Sequence, residues 1–496
     1  MLMNALPAEL LVQVLMHLEP EELSRCDQLC KLFHGPPSLV ERALRLLATQ
    51  GGLGGIPETL PNNRANWTQA LLFLAILQRG SRYKLVAAGD RRSLFVNEDG
   101  TLLICGEVDG GTSMQSIPTP VAGLVGVRVQ SVVAKRNDIM ALSFDGIAFS
   151  WGHGYFGQLG HGVKEFVAQP KAITALSNVC AIDTGFFHSL AITSDGALWS
   201  WGSNEKFDGK NGLSHALGHD DGCLEELLPR RIEALAGKRM CVVAAGRHHS
   251  LAACVDGGCF AWGSGALSAT HHILKKPLRV PALCGERVSS VATSNYNSCA
   301  VTWGGDIWLW GPFGRSYVKE PSQLKGTLLD SHRVVSVSFC YLTDYAQHCL
   351  ALTADGTVLS WVVADYEAWG TGEVGDFQHV RRELLRHRLG HGDAPDVPCS
   401  RVLIPRPIEA LAGQRIRSVT TQTYLERSSD HSDGFHSSAS AFAAGWMDGE
   451  AQRPQWACWG WGRVLGWEAL GHGEKHADTS LPRRVVGIGV TPPVTE

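Results

Sequence analysis

His188-Ser189-Leu190-Ala191-Ile192-Thr193-Ser194-Asp195-Gly196-Ala197-Leu198-Trp199-Ser200-Trp201-Gly202 is the stretch on which the reading of this chain turns. Short alternating runs flank Asp195-Gly196, the signature of two strands joined at a tight hairpin. An Asp-Gly pair suits a type I′ turn, which needs positive φ at both central positions. The same pattern returns along the sequence. It runs from His249 through Asp256-Gly257 to Trp262-Gly263, and from His348 through Asp355-Gly356 to Trp361. It also runs from Asp138 through Asp145-Gly146 to Trp151-Gly152, from Arg92 through Asp99-Gly100 to Cys105-Gly106, and from Asn297 through Gly304-Gly305 to Trp310-Gly311. A stretched last copy reads Asp448-Gly449 to Trp459-Gly460. In the first six copies the turn glycine and the residue after the Trp or Cys keep a constant separation, and only Val362 breaks the second glycine. Seven units of roughly fifty residues follow, with two of them lengthened by insertions.

Each unit supplies more than the hairpin. A Val-rich strand ending in Gly precedes it, as in Val242-Val243-Ala244-Ala245-Gly246. A segment containing Pro follows it, as in Pro170-Lys171-Ala172-Ile173 and Pro229-Arg230-Arg231-Ile232, which suits an outer edge strand where a missing N–H is tolerated. Four antiparallel strands repeated seven times describe a seven-bladed β-propeller, mainly β in class, whose radial repetition protects strand edges. The tryptophans are expected to pack between blades. Asp145, Gly146, Trp151, Gly152, Asp195, Gly196, Trp201, Gly202, Asp256, Gly257, Trp262, Gly263, Trp310, Gly311, Asp355, Gly356 and Trp361 are therefore read as residues of the repeat architecture. Leu159-Gly160-His161-Gly162, Leu389-Gly390-His391-Gly392 and Leu470-Gly471-His472-Gly473 recur after third strands, with Leu217-Gly218-His219-Asp220 as a variant. This combination closely resembles the regulator-of-chromosome-condensation (RCC-type) repeat, over about residues 82–491. The histidines fall one per unit, around a ring too wide for one ion, so structural hydrogen bonding is expected and neither a metal nor a cofactor.

Bulk composition narrows the function. The chain has 496 residues, 55 of them Gly, a formal charge of −4, 44% hydrophobic and 19% charged residues. That charge leaves no footprint for nucleic acid or an anionic membrane surface. The longest apolar run, Ala70 to Leu77, is too short to span a bilayer. The 14 cysteines lie singly, which fits a reduced, intracellular protein of cytoplasm or nucleus.

Residues 4–50 read as a small α-helical segment, 51–66 as a Gly/Pro/Asn-rich linker, 67–82 as a connecting helix and 83–491 as the propeller. Leu6-Pro7-Ala8-Glu9-Leu10-Leu11, Leu18-Glu19-Pro20 with Leu23, and Leu29-Cys30-Lys31 with Phe33 resemble the F-box. That resemblance implies docking on a Skp-type adaptor and, through it, on a cullin. Leu6, Pro7, Leu10, Leu11, Val14, Leu15 and Leu18 would then form the adaptor interface. Their other reading is packing within the segment or against the propeller. So short a segment makes little core alone and gains from a partner surface.

Three insertions, 203–216, 363–388 and 421–437, are expected on one face of the propeller, by hairpin alternation, and a fourth, 450–457, on the other. An unknown target protein is expected there. No Walker loop, Gly-x-Ser-x-Gly elbow or zinc-ligand spacing is present, so the chain reads as a non-catalytic subunit. Some ubiquitin ligases join such propellers to a catalytic cysteine domain, for which little chain follows the seventh unit. The resemblance also admits nucleotide exchange on, or scaffolding of, a small GTPase as the alternative, and fold alone does not decide. A photoreceptor relative carries Gly-Trp-Arg-His-Thr. Here the matching positions read Gly185-Phe186-Phe187-His188-Ser189 and Gly246-Arg247-His248-His249-Ser250, without the Trp.

Overall fold

A computed structural model of the chain describes residues 84–488, apart from 109–112, 206–211, 268–272, 314–315, 325–331, 344–345, 365–404, 428–434, 448–454, 464–469, 471, 473–478 and 487. The segments expected at 4–50, 51–66 and 67–82 lie outside the described residues, as do the adaptor residues Leu6 to Leu18.

Seven four-stranded sheets follow one another, each a meander in which consecutive strands are neighbours. The blades span residues 86–120, 129–172, 179–231, 240–279, 288–323, 334–407 and 415–484. In blade three the strands are Val179–Thr184, His188–Thr193, Leu198–Ser203 and Glu225–Arg231, all antiparallel. The second strand is buried throughout, whereas the fourth is exposed or half-buried at every position but Pro229. The Pro-bearing segments are thus the outer strands, as the missing N–H required.

The hairpin turn differs from the sequence expectation. Gly196 has φ 84°, but Asp195 is not left-handed; among the described residues the non-glycines with positive φ are Arg136, Asn178 and His215. The Gly196 N–H donates to Thr193 O at 2.8 Å and the Thr193 N–H to Ala197 O at 3.0 Å. The loop therefore has three residues, a type I turn closed by a left-handed glycine, and is not a type I′ turn. Aspartate is chosen for its carboxylate rather than its backbone. Asp195 Oδ1 accepts from Thr193 Oγ1 at 2.6 Å and from the Ala197 N–H at 3.1 Å. Asp256 repeats this with Cys254 Sγ and the Gly258 N–H.

Blades two to five are stapled to one another through the loops after their third strands, whereas the equivalent Trp361 Nε1 of blade six makes no hydrogen bond. Trp201 Nε1 in blade three donates to Gln158 O in blade two at 2.8 Å, and Ser189 Oγ donates to the same carbonyl at 2.8 Å. Blade four repeats the pair, Trp262 Nε1 and Ser250 Oγ both reaching Ala216 O at 2.7 and 2.9 Å. Trp310 Nε1 reaches Ala266 O at 2.8 Å. All three indoles are fully buried. The loop glycine Gly160, at φ 76°, lies against the next indole: a β-carbon there would stand 2.8 Å from Trp201 Nε1. The loop histidine turns inward instead, His161 Nε2 meeting Ser150 Oγ at 2.9 Å and His219 Nε2 meeting Ser200 Oγ at 3.0 Å.

Two further expectations change. Strand register places Trp461 opposite Ala441, as Trp201 stands opposite Ser189, and Trp461 is fully buried. The seventh copy thus ends at Trp461-Gly462, not Trp459-Gly460; Trp459 matches Trp199, and the longer hairpin had broken the count. Much of 421–437 is not loop but strand, since Arg415–Arg427 and Phe435–Met447 pair along their length. Of the expected insertion at 450–457, Gln455 to Ala457 already belong to the third strand of that blade. In blade three, buried Asn204 anchors the insertion by donating to Cys223 O at 2.8 Å and accepting from the Leu217 N–H at 3.0 Å. The rest of 363–388 beyond Ala364 lies outside the described residues.

Trp201→Ala is expected to cost about 3–5 kcal/mol of unfolding free energy, as for other buried aromatics. Gly160→Ala should destabilise more than Gly126→Ala, because both have positive φ but only Gly160 faces an indole, while nothing stands within 4 Å at Gly126. Denaturant midpoints of the three variants check both statements.

Candidate functional site

The first strand of each blade lines a central channel, whose main cavity has a volume of about 520 Å³. Its charged groups come from blades one to four. Lys84 Nζ crosses from the edge of blade one to Asp183 Oδ1 in blade three at 2.6 Å. Asp183 Oδ2 in turn accepts the Ala245 N–H of blade four at 2.7 Å. Lys135, ending the first strand of blade two, donates from Nζ to Ala245 O at 2.8 Å. Burial pushes the Lys135 ammonium down to about 8, opposed by Asp183 and aided by Lys84.

Above this layer, loops between first and second strands form a rim. The Arg136 guanidinium lies over the Phe186 ring, 5.5 Å from its centroid. The Arg247 guanidinium lies 5.3, 5.9 and 5.9 Å from the centroids of Phe186, Phe187 and Tyr296. Phe187 stacks on His248 at 5.3 Å. Tyr296, Tyr155 and Phe166 are exposed. Arginine held over aromatic faces is pre-positioned, and partly exposed Arg and aromatic side chains are what protein interfaces favour at their centres.

The structure gives the singled-out repeat residues their places. Trp201, Trp262, Trp310 and Trp361 are fully buried, Trp151 is nearly so, and the turn residues Asp195 and Asp256 hold their hairpins as described. Arg92, Asp138, His188, His249, Asn297 and His348, aligned by the repeat, occupy one position on successive second strands. His188 Nε2 meets Ser250 Oγ of the next blade at 2.7 Å and His249 Nε2 meets Ser298 Oγ at 3.1 Å. Neither histidine pairs with the serine beside it in sequence. Asp138 holds its loop differently, accepting from the His153 N–H at 3.0 Å and from Gln158 Nε2 at 2.7 Å.

The channel residues depart from the repeat, so its period does not reveal them. Lys135 stands where blades three and four carry Gly185 and Gly246. Asp183 stands where blade four carries Ala244. Asp221, Cys223 and Glu226 lie within reach of one another, but Arg230 Nη1 occupies both carboxylates at 2.6 Å. Arg230 holds Asp221 down to about 2, and burial first, then Asp221, pushes the Cys223 thiol up to about 12, so the thiolate is disfavoured. No disulfide joins the described cysteines, and no helix among the described residues is long and apolar enough to cross a membrane.

Comparison with known proteins agrees with this architecture. The regulator of chromosome condensation (RCC1) repeat matches residues 145–192 and 195–253, a second description of that repeat matches 179–207, and an F-box-like family matches 3–35. The chain is 32% identical over 194 residues to the human probable E3 ubiquitin-protein ligase HERC6, covering 37% of this chain and 18% of that protein. It is 36% identical over 151 residues to the Arabidopsis thaliana ultraviolet-B receptor UVR8, covering 30% of this chain and 32% of the receptor. The chain thus spans a third or less of the length of these relatives. Among solved structures, yeast RCC1 (Prp20), determined with Kap60, superposes with a TM-score of 0.56 at 16% identity, over 87% of this chain and 90% of that one.

Burial drives both His188 and His249 down to about 3. Both therefore stay neutral in the fold but take up protons when unfolded, near their ordinary value of about 6.5. The unfolded state binds more protons between these values, so stability must fall as pH drops from about 6.5 toward 3. Denaturant midpoints at pH 7.5 and 5.5 should show the loss, and His249→Asn should reduce it.

Proposed function

We propose that this chain is the substrate-recognition subunit of a Skp–cullin–F-box ubiquitin ligase. The F-box-like match at residues 3–35, ahead of an RCC1 propeller, carries the reading. Leu6, Pro7, Leu10, Leu11, Val14, Leu15 and Leu18 face the adaptor, and Leu11, Val14, Leu15 and Leu18 recur at the spacing of one helical stripe. The propeller holds a target protein on its channel face, where the Arg136–Phe186–Arg247–Tyr296 rim supplies a pre-positioned hot spot. The subunit contributes no bond-making group. It raises the effective concentration of the target beside a ubiquitin-charged partner, and proximity alone accelerates transfer. Similarity to a probable E3 ubiquitin-protein ligase, over 37% of this chain, supports the pathway.

The full chain is expected to co-purify with a Skp adaptor, and Leu11→Asp with Leu15→Asp to reduce recovery at least tenfold while the propeller's thermal unfolding is unchanged. Absence of adaptor from the wild-type chain sinks the reading. Accelerated nucleotide release from a small GTPase, unaffected by the same double substitution, would favour the exchange alternative.

A further inference from the structure

We infer that the hairpin face of blade two is the docking surface for residues 67–82 of this same chain. The inference goes beyond the adaptor reading and does not depend on it. Phe144 and Ile147 flank the turn glycine Gly146, and Val125 follows the short 3-10 turn that joins blades one and two. They are 51%, 45% and 72% exposed respectively. The Arg128 guanidinium lies over the Phe144 ring, 4.9 Å from its centroid, and Arg128 O accepts the Phe144 N–H at 2.9 Å. Arg128 stands three residues after Val125, so the three apolar side chains share the base of one blade.

Single exposed apolar residues are ordinary on a protein surface, whereas a group of them in one place marks a contact. The repeat does not require this group. At the positions of Phe144 and Ile147, blade three carries Ser194 and Ala197, and blade six Ala354 and Thr357. The larger Val255 and Trp303 of blades four and five are buried. Among the described hairpin turns, only that of blade two exposes a large apolar side chain on both sides.

The chain itself supplies the occupant. First strands run from the hairpin face toward the rim, so the chain enters the strand Val86–Ala88 from the hairpin side. Lys84 O accepts the Val132 N–H at 2.8 Å, which sets this entry point against blade two. Val132 lies four residues beyond Arg128, about 13 Å at the rise of a strand. Residues 67–82, where the sequence predicts a connecting helix, end just before that point and contain the unbroken apolar run from Ala70 to Leu77. A helix apolar on every side has to be covered. Sixteen helical residues would extend about 24 Å, enough to cross the base of blade two. Charge agrees with this occupant. Glu98, Asp99 and Asp145 are exposed in the turns of blades one and two, and Arg79 and Arg82 close the segment. The contact lies on the face opposite the rim and leaves Arg136, Phe186 and Arg247 uncovered for a target.

The full-length chain with Phe144 replaced by photoreactive benzoylphenylalanine tests the contact directly. Irradiation is expected to give cross-links within one chain, mapped by mass spectrometry to residues 67–82. Phe144→Asp with Ile147→Asp should speed tryptic cleavage after Arg79 and Arg82 about tenfold, since cleavage follows the population of the undocked form. Phe144→Leu, which keeps the apolar surface, should leave cleavage near the wild-type rate. Thermal unfolding shows whether the double variant folds; if it does not, the cross-link decides. Cross-links only to other segments or only between two chains overturn the inference, and so does their absence. Cleavage equally fast in the wild-type chain and in a folded double variant overturns it as well.

Discussion

A backbone carbonyl in the loop after the third strand ties blade two to blade three and blade three to blade four. Gln158 O accepts both an indole N–H and a serine hydroxyl from the following blade, and Ala216 O does the same one junction later. A single four-stranded sheet cannot bury both of its faces. The Trp and Ser that satisfy this carbonyl also bring the faces of neighbouring sheets together, so hydrogen bonding and apolar burial are gained in one contact. Mixed clusters such as Met240, Val243 and Phe260 of blade four with Leu190, Ile192 and Leu198 of blade three show the result. The same junction explains the loop composition. Glycine at 160 leaves room for the indole, and His161 turns back to the serine of its own third strand.

That economy made the fold legible and the site obscure. The hairpin glycines and tryptophans had to recur because every junction poses the same steric problem, so blade number could be read by counting. Side chains at the inner ends of the first strands solve no junction problem and carry no period. Lys135, Asp183, Phe186 and Arg247 could have been found only by asking where the repeat is broken. Two differences between pattern and structure share that origin. Asp-Gly suggests a backbone preference, whereas the carboxylate ties the turn to a hydroxyl or thiol two residues earlier and an N–H two residues later. In the seventh blade a longer hairpin sets Trp461, not Trp459, at the inter-blade position. The F-box-like resemblance was legible for a different reason, since its short apolar pattern is local and needs no tertiary context.

The chain therefore divides its labour between regular and irregular positions. Regular positions make a rigid ring whose buried histidines stay neutral and whose Asp138 loop is fixed by three donors, two from backbone and one from Gln158. Irregular positions are gathered on the channel and on the face bearing the first-to-second strand loops. Charges crossing between blades, Lys84 to Asp183 and Lys135 to Ala245, brace the mouth from within. Binding surfaces held on such a frame lose little conformational entropy when a partner arrives.

The ring has a seam. Each of the seven sheets is contiguous in sequence, and among the described residues no strand is shared between the first and last blades. Their junction is made by Phe95 edge-on to Phe442 at 5.4 Å, by Trp456 Nε1 donating to Val96 O at 3.2 Å, and by the Leu85 N–H donating to Ser418 Oγ at 3.1 Å. Every blade pairs its strands locally, and only this join waits for the far end of the chain. Side chains rather than a zipped strand complete the circle. An arrangement closed in this way has no privileged beginning, and the cut between its termini could sit at another junction without dividing a single sheet.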